Sequence, residues 1–291
     1  MVPLMNSYSQ RVHQDIIKCA SRVLLVCLIL APILGNAIQA GDISDLKLMT
    51  YNIRHGRGMD ERVDLARTAA TIAKYSPDIV ALQEVDVHCH RSGNVDQPKQ
   101  LGETLGMSFA FGSFMDFQGG KYGLAILSKF PIVCSQEFRL PDGNEPRVAL
   151  VAELQLPDRS SVLVVNLHFD WVRDDKFRFS QAQALHAFLG AQELPYFLLG
   201  DFNDSPDSRT VQLFRSTLVE PSKPEQNPFT FSSTKPTREI DYVFISKSAA
   251  WKTKNVLVGN EPLASDHRPL LVELTSIENQ QNEVSVRLKV L

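Results

Sequence analysis

The apolar segments of this chain share a way of ending, and that ending narrows the fold more than any other feature. "LKLMTYN" (46–52) closes on Asn52, "DIVALQE" (78–84) on Glu84, "SVLVVNLH" (161–168) on Asn166 and His168, and "PYFLLGD" (195–201) on Asp201, with Asn203 two residues further on. Their alternation and short apolar runs read as strands. "EIDYVFIS" and "RPLLVELT" are late strands, with Asp241 near the start of one and the pair Asp266-His267 just ahead of the other. A single carboxylate at a strand end is more often a helix cap or a turn former. Repeated at neighbouring strand ends, it builds one rim of carboxylates, amides and imidazoles.

Helical patterns lie between the strands. Residues 60–75 carry Val63, Ala66, Ala70 and Ala73 at helical spacing, with Asp60 as the expected cap and Pro77 as the stop. "QLGETLGM" reads as another helix. The stretch 176–191 places Phe177, Gln181, Leu185 and Phe188 on one face. "GLAILS" and "RVALVAELQL" add strands. Interspersed strands and helices imply a layered α/β architecture, in which strand-end rims are the usual ligand sites.

Four carboxylates (Glu84, Asp201, Asp241, Asp266) and two amides (Asn52, Asn203) form an all-oxygen donor set. Hard oxygens suit magnesium, manganese or calcium, and no Cys/His spacing of a zinc site is present. Clustered carboxylates repel unless a cation or proton sits among them. Two histidines, His168 and His267, arrive beside these groups. A divalent ion, an imidazole and a further carboxylate are what phosphoester hydrolysis needs: charge neutralisation, a base for water and support for the leaving oxygen.

The chain start is of a different kind. Arg11, Lys18 and Arg22 precede the apolar run "VLLVCLILAPIL", broken by Pro32 and Gly35, and small residues follow up to Ala40. The run is shorter than a bilayer span needs. Residues 1–40 therefore read as a secretory signal peptide, cut after Ala40 or Ala37, with translation starting at Met1 or Met5. An uncleaved membrane anchor is the alternative. Residues 41–291 then form one domain, destined for secretion or the periplasm, with 27 Lys and Arg against 32 Asp and Glu. That balance lacks the basic footprint of a nucleic-acid binder. Of the cysteines, Cys89 and Cys134 remain, either paired or as two buried thiols.

Seven segments, "MTYNIRHG", "VALQEVD", "YGLAILSKFPI", "NLHFDW", "LLGDFNDSP", "REIDYVFIS" and "ASDHRPLLVEL", stand in the order found in the endonuclease/exonuclease/phosphatase superfamily, and the chain resembles its bacterial exported branch over residues 46–274. The resemblance implies a four-layer α/β sandwich, two mixed sheets packed face to face and flanked by helices. It also implies a metal-dependent phosphoric ester hydrolase, using Mg2+ or Mn2+ on a small or lipid-linked phosphate mono- or diester. A deoxyribonuclease-like activity is the alternative, and a non-catalytic binding module is disfavoured by the intact residue set. By resemblance, Asn52, Glu84 and Asp266 hold the metal, and Asp201 and Asn203 position water and phosphate. His267 with Asp266 forms the imidazole–carboxylate pair acting as general base, His168 serves the leaving side, and Asp241 orients His168. Arg147 faces the phosphate, with Tyr122 and Asn166 beside the substrate. Glu239 stands where many members carry a basic residue. The expected partner is a phosphoester substrate, a lipid headgroup included, met by a monomer.

Other residues have plainer readings. His186 is structural. Arg54 and His55 either reach the substrate or shape a loop, and Trp171 either flanks the cleft or packs. His88 and His90 belong to a solvated loop rather than a transition-metal site, since no soft ligands accompany them.

Overall fold

The computed structural model describes residues 44–277. The expected signal peptide, 1–40, lies outside the described residues. Among the described residues the chain forms two sheets. Strands β1 (Asp45–Asn52), β2 (Ile79–Val87), β3 (Ser108–Phe117), β4 (Gly120–Ser128), β10 (Trp251–Val258) and β11 (Leu270–Ser276) make the first, in the order β10-β11-β1-β2-β4-β3. Strands β5 (Ile132–Arg139), β6 (Val148–Gln155), β7 (Ser161–His168), β8 (Tyr196–Asp201) and β9 (Asp241–Ile245) make the second, in numerical order. Both sheets are mixed: β1 runs parallel to β2 and β7 parallel to β8, while the other pairs are antiparallel.

Strand periodicity assigns each residue a face, and both faces of the central strands are apolar. Leu48, Ala81 and Ile126 of the first sheet and Leu150, Val164 and Leu199 of the second meet in one buried cluster between the sheets. On the outer face of the first sheet, Met49, Val80 and Leu127 pack against Leu65, Ala69 and Ile72 of α1 (Leu65–Tyr75) and Leu101 of α2 (Gln97–Leu105). The second sheet is covered by α3 (Lys176–Gly190) and α4 (Arg209–Arg215), where Phe188 stacks on Phe138 of β5 at 4.4 Å and Phe214 meets Phe244 of β9 at 5.9 Å. This is the expected four-layer sandwich. No helix among the described residues is long and apolar enough to cross a membrane.

Several local expectations are corrected. Helix α1 starts at Leu65, not near Asp60, because the Asp64 carboxylate accepts from Arg67 N at 2.9 Å and so caps the helix. Asp60 is instead occupied by a two-point bond from the Arg67 side chain, and Val63 lies exposed ahead of the helix. On α3, Phe177 is exposed and the buried face is Arg178, Gln181, Ala182, Leu185, Phe188 and Leu189. Cys89 is a buried thiol with Sγ 3.1 Å from Phe117 O, so the Cys89–Cys134 bridge is not made.

Two bulges shape the upper end of the first sheet. In β2, Gln83 opposes Leu124 and Val85 opposes Gly123, leaving Glu84 as the extra residue at φ 57. In β3, Ser113 opposes Gly123 and Met115 opposes Tyr122, leaving Phe114 extra. Bulges re-aim a side chain at a site. In the second sheet Gly200, at φ 154, lets β8 approach β7 so closely that a Cβ there would overlap the Leu167 carbonyl oxygen. That approach sets Asp201 opposite His168 in the parallel register. Gly200→Ala is expected to cost at least about 2 kcal/mol, from backbone strain and overlap together. Thermal unfolding followed by circular dichroism should show a Tm lower by several degrees.

Candidate active site

The upper ends of β1, β2, β7, β8 and β9 converge on Asp201. Asn203 N donates to its Oδ1 at 2.9 Å, and Asn52 Nδ2 donates to its Oδ2 at 3.1 Å. That same Oδ2 lies 3.4 Å from His168 Nε2 and 3.6 Å from His267 Nε2. Asp241 opposes Asp201 in the β8–β9 register. Its Oδ2 accepts from His267 Nδ1 at 2.9 Å. Asp201, Asp241, His168 and His267 are all buried.

Two expected pairings are therefore corrected. The imidazole–carboxylate pair is His267 with Asp241, not with Asp266, and Asp241 orients His267 rather than His168. The chain bends at Asp266, and its side chain turns instead to Ser265 Oγ at 3.3 Å and Arg54 Nε at 3.8 Å. Asn166 is corrected as well. It is fully buried between the sheets, donates to Leu82 O and Ala125 O, both at 2.8 Å, and accepts from Gln83 Nε2 at 2.7 Å. It ties the two sheets together one pleat below the rim and does not face a substrate.

Glu84 and Asn52 lie beside this cluster. Asn52 Nδ2 donates to Glu84 Oε1 at 3.0 Å, the side-chain bond that Glu84 makes among the described residues. Burial, with Asp266 adding to it, pushes the Glu84 carboxyl above the usual range. Glu84 and Asp266 thus bring two carboxylates near enough for one to raise the other, an excess of negative charge on hard oxygens that fits a divalent cation. The Asn52 amide beside them gives its nitrogen to Glu84 and its oxygen to Arg54 N at 3.1 Å. Asp201, Asp241 and His267 also bring ligand-type atoms within 4.8 Å of one another, but there the imidazole already offsets the carboxylates.

Arg147 is buried and its Nη2 donates to Glu145 Oε2 at 2.8 Å, while Nε and Nη1 make no bond among the described residues. Its guanidinium lies 4.8 Å from the Phe114 ring, which meets His168 edge-on at 6.1 Å. Tyr122 packs against Phe114 at 5.5 Å. Arg147 and Tyr122 thus both reach the site through Phe114. Glu239 accepts from Lys223 Nζ at 2.7 Å, which offsets its charge.

The electrostatics separate the two histidines. Burial, then the positive charges of Arg147 and His267, hold His168 well below its ordinary value, so it is neutral. Burial acts to lower His267 too, but the Asp241 and Asp201 carboxylates more than offset this and raise it to about 10. Burial and the facing Asp241 carboxylate push Asp201 up to about 7. Near neutral pH His267 is thus an imidazolium, and Asp201 is the group poised to exchange a proton.

Over residues 49–267 the chain matches the Endonuclease/Exonuclease/phosphatase family. It belongs to that family. Protein YbhP of Escherichia coli (strain K12) is 24% identical over 253 residues, 78% of this chain and 95% of that protein. The structure of an endonuclease/exonuclease/phosphatase from Beutenbergia cavernae DSM 12333 superposes with a TM-score of 0.65 at 24% identity, over 80% of this chain and 72% of that one. A mannosyl-6-phosphatase from Bacteroides thetaiotaomicron gives 0.66 at 23% identity, over 79% and 99%. At such identities the structures share the fold. Members of the endonuclease/exonuclease/phosphatase family are hydrolases, phosphatases and nucleases among them, and the acidic and histidine cluster of this chain is compatible with metal catalysis.

Three residues of the site carry little signal in the sequence. Ser265 Oγ donates to Asn52 O at 2.7 Å and so locks β1 to the segment bearing Asp266 and His267. Phe114 is visible only once the β3 bulge is known. Asp170, fully buried, accepts from Asn144 N at 2.6 Å and holds the loop that carries Glu145 and Arg147. His186, expected to be structural, bonds Thr217 Oγ1 at 2.9 Å, away from the cluster.

The raised His267 value has a testable sign. Its stabilising contribution is complete below its ordinary value of 6.5 and is lost as pH rises through about 10. In chelator, imidazole NMR should find His267 still protonated at pH ~8 and His168 neutral, and the alkaline loss of stability should shrink in His267→Gln.

Proposed function

We propose that this chain is an exported, divalent-metal-dependent phosphoesterase acting on a small or lipid-linked phosphate ester. One observation carries the reading: a buried carboxylate, Asp201, whose Oδ2 is approached by Asn52, His168 and His267 within 3.1–3.6 Å. A carboxyl so enclosed, with a value near 7, is built to move a proton rather than to cap a turn.

Glu84, Asp266 and Asn52 would hold Mg2+ or Mn2+, which when bound supplies neutralisation of phosphoryl oxygen charge. Asp201 takes the proton of the attacking water, its carboxylate fixed from both sides by Asn203 N and Asn52 Nδ2. His267, kept charged by Asp241, donates to a phosphoryl oxygen and opposes the negative charge that develops there. This replaces the expected assignment of His267 as general base. Neutral His168 gives a hydrogen bond, not a proton, to the leaving oxygen or to the Asp201 carboxylate, and the proton that Asp201 takes from water is the one returned to the leaving oxygen. The unpaired donors of Arg147 offer further hydrogen bonds to phosphate. Polynucleotides suit the acidic residues 41–291 less well than a compact ester does.

The test is steady-state kinetics on p-nitrophenyl phosphate and bis-p-nitrophenyl phosphate, with plasmid DNA and sphingomyelin alongside. Activity should require magnesium or manganese and vanish in EDTA. Glu84→Gln should raise the metal concentration needed, because one anionic oxygen becomes neutral. Asp201→Ala and His267→Ala should each lose at least about 10²-fold in kcat with the circular dichroism spectrum unchanged. His186→Ala should keep kcat nearly unchanged. Full turnover in chelator would overturn the metal assignment.

Export is a separate part of the reading, supported by the basic start, short apolar run and small residues before Gly41. N-terminal sequencing of protein from its native host should find a first residue at or near Gly41. Retention of Met1 or Met5 would mean an anchored or unexported chain.

A further inference from the structure

Arg91, packed against Tyr122, is an arginine that the catalytic scheme does not use. Arg91 Nε and Nη2 donate to Asp86 Oδ2 and Oδ1, both at 2.8 Å. The guanidinium lies 4.5 Å from the Phe117 ring and 4.9 Å from the Tyr122 ring. Its backbone N donates to Gln118 Oε1 at 3.2 Å. The Asp86 side chain is wholly buried while that of Arg91 is 24% exposed. Fully buried Gln97 braces the assembly: its Oε1 accepts from Asp86 N at 2.9 Å and its Nε2 donates to His55 O at 2.8 Å. Among the described residues Arg91 Nη1 makes no hydrogen bond. A surface ion pair that only pinned its loop would not need so many restraints on one guanidinium.

The position is informative. Tyr122 packs on Phe114, and Phe114 meets both His168 and Arg147. Arg91 is thus linked to His168 through two packed rings, Tyr122 and Phe114, and its partly exposed edge is the part that a leaving group bound at this end of the site could meet. Its chemistry is informative too. Asp86 cancels the charge of Arg91, so the free edge attracts a second full anion weakly. What remains is a pair of fixed, directional N–H donors, which suit a neutral oxygen acceptor.

We infer that Arg91 is a specificity-determining residue whose Nη1 edge donates to hydroxyl oxygens of the leaving group, selecting polyhydroxylated esters, of a sugar or polyol, over plain aryl esters. The inference rests on the phosphoesterase reading above. A fixed donor of this kind discriminates strongly, because a substrate lacking the acceptor leaves it unmatched.

The experiment compares aryl and polyol esters within each class: p-nitrophenyl phosphate with glycerol phosphate as monoesters, and bis-p-nitrophenyl phosphate with diglycerol phosphate as diesters. The full chain is used as wild type, Arg91→Ala and Arg91→Lys. The lysine variant keeps a cation beside Asp86 and removes only the fork. In the class that the enzyme hydrolyses, both variants should lose about ten- to a hundredfold in kcat/KM on the polyol ester, mostly through KM, and stay within about twofold on the aryl ester. Equal losses on both esters, or none on either, would overturn the inference while leaving the phosphoesterase reading intact. Failure of the wild type to hydrolyse any of the four would overturn both.

Discussion

Asp201 and Asp241 face each other across neighbouring antiparallel strands, both nearly out of water. Two like charges in that position cost more than the local backbone can return. The rest of the site answers that constraint. His267 stands between them as a cation at neutral pH, Asn52 and the Asn203 amide donate into Asp201, and one proton is left near neutrality to come and go. Removing the cation would leave a buried charge unmatched, so catalytic competence and local stability share the same atoms here.

The large apolar core between the sheets makes such a rim affordable. Near its upper end the core is not wholly apolar. Thr50, Gln83 and Asn166 form a polar seam in which Gln83 Nε2 donates to both Thr50 Oγ1 and Asn166 Oδ1. Asn166 then reaches two carbonyls of the first sheet, at Leu82 and Ala125. The seam fixes the offset between the sheets, and with it the separation of Asn52 and Glu84 on one from His168 and Asp201 on the other. A buried network whose members are all satisfied specifies geometry in a way that apolar contact does not.

The central strands were legible in the sequence because both of their faces are buried and each ends on a polar residue. The three strands with no clear apolar signature, β3, β5 and β10, all lie at sheet edges. There one side is solvated and the pattern is diluted, as in β5, where every second residue is exposed. The rim was legible as a set of residues but not as a set of partners. Asp266 and His267 are neighbours in sequence, yet they turn to different elements, and Asp241 reaches His267 only through the β8–β9 pairing and the fold of the final segment. Asn166 looked like a rim residue because it shares a face with His168, but one pleat of depth separates a substrate contact from a tie between sheets.

The bulges at Glu84 and Phe114 do more than aim those two side chains. A strand is read in steps of two, and an extra residue shifts its reading frame. Along β2, Ala81 faces the core between the sheets and Leu82 the helices, but beyond Glu84 it is Val85 that faces the helices. Along β3, Ala110 and Phe114 face the inter-sheet core, and past the bulge Met115 and Phe117 do. Strand β4 runs between them in one unbroken frame, with Tyr122, Leu124 and Ile126 inward and Ala125 and Leu127 outward. The two frameshifts flank the same residue, Gly123, where a Cβ would collide with Gly112 O. Loss of one residue from either strand would throw every later side chain of that strand onto the wrong face, so the extra residue at each bulge is as much a part of the sheet's register as the paired residues are.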